Sequence, residues 1–175
     1  SRHRGSRRKG RRLNSAMQTH LIDSPGLRSF IGPDDDLGSF LIPLQQFDGH
    51  KLYTELICKL PHPGWSEDFT QTDIEYAKEA FLQVAGSASA MTVEVRFRGG
   101  RGIEGLFTVG RPPAADTTSP PSITIAVADH TTLVYPNEVF DATEAANLCF
   151  YYYTHDTVPD SYVLRPFTSG ESSSD

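Results

Sequence analysis

The chain has 175 residues, 38% of them apolar and 22% charged, with 14 Gly and 12 Pro; this suits one core of ordinary size and excludes a coiled coil, a disordered chain or two full domains. No run approaches the roughly 18 apolar residues that span a bilayer, and no apolar secretory leader is visible. The formal charge of −6 hides an asymmetry, because seven of the 16 Lys and Arg residues fall in residues 1–12, leaving nine against 22 acids, so residues 13–175 carry a formal −13.

An acidic body of this kind repels nucleic acid and membrane surfaces and speeds encounter with a basic protein. Residues 1–16 read as an unstructured basic tail, with Met17 the expected natural start. The tail has no aromatic residue to stack a base, so nucleic acid is disfavoured as a partner except through counterion release at this segment. Residues 17–167 are expected to form a single domain, and TSGESSSD, 168–175, a frayed terminus.

In chain order, Asp34-Asp35-Asp36 after Gly32-Pro33 reads as a capped turn. It fails as a calcium loop, because the twelfth position holds Gln45 where a Glu ligand is required. LGSFLIPL, 37–44, suits a strand interrupted by Pro43. KLYTELICKL, 51–60, fits helix and strand alike, and PHPGWSEDF, 61–69, reads as a loop. Thr72 and Glu75 then form a capping box, with Ile74, Ala77, Phe81 and Val84 at helical spacing before Gly86, which predicts one helix. GSASA, 86–90, is expected to connect that helix to a strand.

Met91, Val93, Val95 and Phe97 alternate with polar residues, and IEGLFTVG returns after the glycines, so a hairpin is expected. Pairing Phe97 with Ile103, Val93 with Phe107 and Arg96 with Glu104 keeps the faces consistent and calls for a loop longer than two residues, with a left-handed glycine. Residues 110–121, with four prolines, read as a mobile connection. Ile123, Ile125 and Val127 predict a third strand, residues 129–132 a turn, and Leu133 onward a fourth strand ended by Pro136. Asp141 caps a second helix whose buried face carries Ala142, Ala145, Ala146, Cys149, Phe150 and Tyr153, with Asn147, Tyr151 and Tyr152 opposite. YVLRPF closes the domain as a last strand. The expected fold is α+β, mainly an antiparallel sheet of about five or six strands with two helices packed on one face.

No catalytic constellation assembles from these residues. Gly100-Arg101-Gly102-Ile103-Glu104-Gly105 matches G-x-G-x-x-G, yet a strand follows where dinucleotide binding needs a helix. Cys58 and Cys149 lie far apart, without ligand-spaced partners, and read as buried free thiols of a reducing cytoplasm, one disulfide being the alternative. No cofactor or metal is expected. The acid pairs Glu67/Asp68 and Glu138/Asp141 read as solvated. His155 beside Asp156 has the order of a base and its orienter, although a solvated histidine at a helix end suits it better.

From Met91 on, the order of strand, glycine loop, FTVGRP, SITIAV, NEVFDATEAANLCFYYY (137–153) and TVPD (157–160) resembles immunity proteins of bacterial polymorphic toxin systems. The resemblance implies a cytoplasmic, non-enzymatic antidote that binds a cognate toxin protein. The candidate partner-binding residues are Arg101 and Glu104 at the hairpin and Tyr151, Tyr152, His155 and Asp156 at the second helix. The alternative is a small α+β enzyme or ligand-binding domain using His155 or His130.

Overall fold

Among the described residues, strands outnumber helices. The computed structural model describes residues 17–99, 102–167 and 172–173. Its elements are β1 (Gln18–Ser24), β2 (Leu27–Ile31), α1 (Gly38–Leu44), β3 (Thr54–Gly64), α2 (Gln71–Ala77), β4 (Phe81–Ser87), β5 (Ala90–Arg98), β6 (Glu104–Gly110), β7 (Ile123–Val127), β8 (His130–Val134), α3 (Ala142–His155), β9 (Val163–Pro166) and β10 (Ser172–Ser173). The fold is α+β. A seven-stranded sheet runs β2-β1-β3-β4-β5-β6-β9, antiparallel throughout, and a second sheet runs β10-β8-β7. Among the described residues, no helix is long and apolar enough to cross a membrane.

Ile22, Ile57, Leu82, Val84, Val93 and Val95 share one face of the large sheet and pack against α1 and α3 through Phe40, Leu44, Ala145 and Cys149. The opposite face is covered twice. Leu21, Cys58 and Leu60 meet Ile74 and Ala77 of α2, while Ala85 and Ala90 meet Ile125, Val127 and Val134 of the small sheet. Gly86 permits that second contact: at φ 133°, a Cβ there would stand 2.4 Å from the Ala90 carbonyl oxygen and 3.0 Å from Ile125.

Several expectations are corrected. The large sheet has seven strands because β1, β2 and β4 were not anticipated, and the two expected helices do not share a face, since α2 lies on the side away from α3. Residues 38–44 are helical, burying Phe40 and Leu44 one turn apart with Pro43 inside the helix. The helix expected from Thr72 to Gly86 is capped instead by Thr70, whose Oγ1 accepts from the Asp73 amide at 3.1 Å while Asp73 accepts from the Thr70 amide at 2.9 Å. It ends at Ala77, and Phe81–Ser87 becomes the strand that joins β3 to β5. GSASA is therefore a hairpin turn, with Ser87 opposite Ala90.

The β5–β6 loop is long and carries left-handed glycines, Gly99 (φ 97°) and Gly102 (φ 89°), as expected. Its register is shifted by two residues: Val95 pairs with Phe107, Phe97 with Gly105 and Arg98 with Glu104. A two-residue slip leaves every side chain on its own face, so alternation alone could not choose between the two. The turn after β7 is also tighter than expected, placing His130–Thr132 in β8. The Pro-rich connection is tied down at both ends, Asn137 Nδ2 donating to the Arg111 carbonyl at 2.8 Å and the Tyr135 hydroxyl to the Ser119 carbonyl at 2.6 Å. Ser172 and Ser173, within the expected frayed terminus, pair with Thr132 and Thr131.

Glu138 is a further correction. It is 2% exposed, not solvated, and accepts from Arg165 Nε at 2.8 Å, Arg165 Nη2 at 2.9 Å and the Tyr135 amide at 2.8 Å. Asp141 caps α3 as read from sequence, accepting from the Glu144 amide at 2.9 Å. Both cysteines are buried and unpaired, and burial pushes the Cys58 thiol up to about 12.

Candidate functional site

One polar opening lies where neighbouring strands differ in length. β4 starts at Phe81, whereas its two neighbours continue beyond that point, β5 to Arg98 and β3 to Gly64. The C-terminal turn of α3 borders this region. The result is a notch of about 450 Å³ lined by Lys59, Arg96, Arg98, Gly99 and Ile103 from the strands and by Tyr152, His155 and Asp156 from the helix end.

Two of the regions singled out from sequence therefore meet here, although half a hundred residues separate them. Tyr152, His155 and Asp156 line the notch directly. Glu104 begins β6 beside it, its carboxyl carbon 3.1 Å from where a Cβ on Gly99 would stand. Tyr151 lies just outside and stacks on His155, ring centroids 3.9 Å apart and planes within 7°. Arg101 lies outside the described residues.

Tyr152 needs correction as an exposed anchor. It is 3% exposed, because α3 buries a face wide enough to take Leu148, Cys149, Tyr152 and Tyr153 together, and that burial raises the phenol pKa. Phe150, expected on the buried face, is only half-buried. The triplet thus divides into Tyr151 outward, Tyr152 as notch wall and Tyr153 inward, its hydroxyl donating to the Gly32 carbonyl.

The electrostatics are those of a paired site. Lys59 Nζ donates to Asp156 Oδ2 at 3.0 Å. Arg98 lies 3.5 Å from Glu79, donates to the Tyr76 carbonyl at 2.6 Å and covers the Tyr76 ring at 4.0 Å. Arg96 stands 6.0 Å over the Phe81 ring. Asp156 is directed to Lys59 and His20, so the sequence order His155-Asp156 does not make a base and its orienter. His155 Nδ1 faces the Thr154 hydroxyl at 2.7 Å and the Tyr151 carbonyl at 3.1 Å.

His20 is the group that sequence reading missed. It is 5% exposed, edge-on to Tyr153, with Nε2 lacking a hydrogen-bond partner. Asp156 at 3.9 Å is too far to hydrogen-bond and does not offset desolvation, which together with Lys59 lowers the imidazole pKa to about 4. No local signal announces it, because β1 and β3 bring His20 and Lys59 side by side and only the return of α3 supplies Asp156.

His130 sits at a smaller hollow of about 290 Å³ between the two sheets, with Thr54, Gln83, Thr92, Glu94 and Thr132. Among the described residues, no group of three or more His, Cys, Asp or Glu side chains is placed to hold a metal ion. The Gly100–Gly105 motif leads into β6, so no helix N-terminus stands behind it for a pyrophosphate. Comparison with protein-family models, curated proteins and solved structures finds no match for this chain.

Proposed function

We propose that the chain is a non-catalytic binding protein of the immunity type, which neutralises a cognate basic toxin domain in the cytoplasm by seating it on the notch and the surface around it. The observation that carries this reading is the convergence of the β5–β6 loop and the end of α3 on one opening, with Tyr151 and His155 stacked at its rim. A flat, pre-stacked aromatic pair flanked by charges is the composition of an interface centre, where tyrosine supplies contact area at small entropic cost. The formal −13 of residues 13–175 supports a cationic partner through long-range steering. Two buried free thiols suit a reducing compartment.

Affinity capture from a lysate of the native host, with the intact chain and with a Tyr151→Ala variant, tests this reading. The expected result is a basic protein retained by the first and lost from the second, encoded next to this chain's gene. Added salt is expected to slow association far more than it speeds dissociation. Turnover of a small compound by the purified chain, abolished by His155→Ala, would overturn the proposal in favour of the enzyme alternative.

A further inference from the structure

Glu55 is a carboxylate in the wrong place for a structural acid. It is the second residue of β3, on the face that packs against α1 and α3, opposite Val84, and is 5% exposed. Oε2 is sealed from solvent with no hydrogen-bond partner, and among the described residues no cation pairs with it. A buried charge left in this state costs several kcal/mol, which only a partner or protonation removes.

The same face explains why the group persists there. At the corner where β1 turns into β2, Leu27 lines a cleft beside α1 on this same sheet face, and Ile22 and Ile31, which pack in the core, also reach its wall. Ile42 and Phe47 roof the cleft, Leu52 closes one end, and Glu55 lies at its floor; the volume is about 510 Å³, within the roughly 300–1,000 Å³ of small-molecule sites. Leu27, Ile42 and Leu52 are three of the most exposed large apolar residues described, at 63%, 61% and 47%, and all three border this one opening. Apolar walls over a single unpaired acid define an amphiphile with one cationic end.

We propose that this cleft is a binding site for a small aliphatic amine, whose alkyl chain lies between the β1–β2 hairpin and α1 and whose ammonium group donates to the Glu55 carboxylate. The site shares no lining residue with the notch, so it stands whether or not the notch binds a toxin. Among the described residues, Lys51 is the one cation lining the cleft, at its exposed mouth; Tyr53 lines it too, and Cys149 of α3 is a further titratable group that faces Glu55. Burial holds the Glu55 carboxyl up to about 7, so the ionised form that an ammonium requires grows in as the pH rises. Affinity for an alkylammonium is therefore expected to rise roughly tenfold between pH 6 and pH 8, with a proton released on binding at the lower pH.

Calorimetric titration of the full chain with n-octylamine hydrochloride, n-octanol and sodium octanoate provides the test. The expected result is saturable, one-to-one binding of octylammonium at pH 8, weakened at least tenfold by Glu55→Gln and by Ile42→Lys, with octanoate not bound. Glu55→Gln preserves shape, and Ile42 is exposed, so the two variants guard against simple unfolding, which circular dichroism checks in parallel. Absence of saturable octylammonium binding, equal affinity in Glu55→Gln, or octanol binding as tightly as octylammonium to the unaltered chain would each overturn the proposal. Methyl shifts on titration at Ile22, Ile31 and Ile42 support it, and shifts confined to other methyls refute the location.

Discussion

Single residues in this protein are held by partners distant in sequence. Glu138 and Arg165 form a two-pronged pair beneath Tyr135, whose ring the guanidinium covers at 5.0 Å. Removing one member of a buried pair leaves the other without compensation, so Glu138→Ala is expected to cost about 3–5 kcal/mol, read as a fall in the urea midpoint at unchanged slope. Gly86 is constrained from the other side, by space and by sign of φ. Gly86→Ala is expected to cost about 2 kcal/mol or more, since the strain and the Ala90 contact act together; thermal unfolding followed by circular dichroism checks it. Neither effect is visible in local sequence, where Glu138 has no cationic neighbour and Gly86 looks like a helix stop.

At the scale of elements, the signals that succeeded were those with their own hydrogen bonds. α3 begins where Asp141 accepts from the Glu144 amide and ends at Asp156 in the left-handed region, φ 59°. Asp141→Ala is accordingly expected to cost about 1 kcal/mol and Asp141→Asn much less, measured by chemical denaturation. The failures were at ambiguous periods. Ile74, Ala77, Phe81 and Val84 satisfy helical spacing across a boundary, yet Leu82 and Val84 also satisfy a strand, and the gap between β3 and β5 decided for the strand. Gly38–Leu44 went the other way, because a pair one turn apart could be buried under α3 only as a helix.

For the whole molecule, two buried titratable groups set opposing responses to pH. The folded pKa of Glu55, about 7, lies above its ordinary 4.5, so between these values the unfolded chain gives up a proton that the folded chain keeps, and stability falls as pH rises. The folded pKa of His20, about 4, lies below its ordinary 6.5, so between these values the unfolded chain gains a proton that the folded chain refuses, and stability falls as pH drops. The two slopes cancel from roughly pH 4.5 to 6.5. Urea midpoints across that window are expected to show a rise with pH in Glu55→Gln and a fall with pH in His20→Gln, each on the order of 3 kcal/mol in full extent. Unchanged profiles in both variants would remove this account. Above pH 7, Glu55→Gln is expected to be more stable than the natural chain, as a site kept for a ligand and not for stability requires.

Sequence alone determined the class of fold, the β5–β6 hairpin with its long glycine loop, the cap of α3 and the acidic body, because each rests on neighbours within a few positions or on a sum over the chain. It also offered residues at the start of β6 and at the end of α3 as binding candidates, without showing that they meet. Tertiary structure decided the rest. Strand order placed His20, Lys59 and Asp156 together, the breadth of the buried face of α3 turned Tyr152 inward, and the packing of α1 beside the β1–β2 hairpin left a cleft that Glu55 lines. Those outcomes depend on which strands become neighbours and on how much of a face a helix covers, and no local pattern of side chains encodes either.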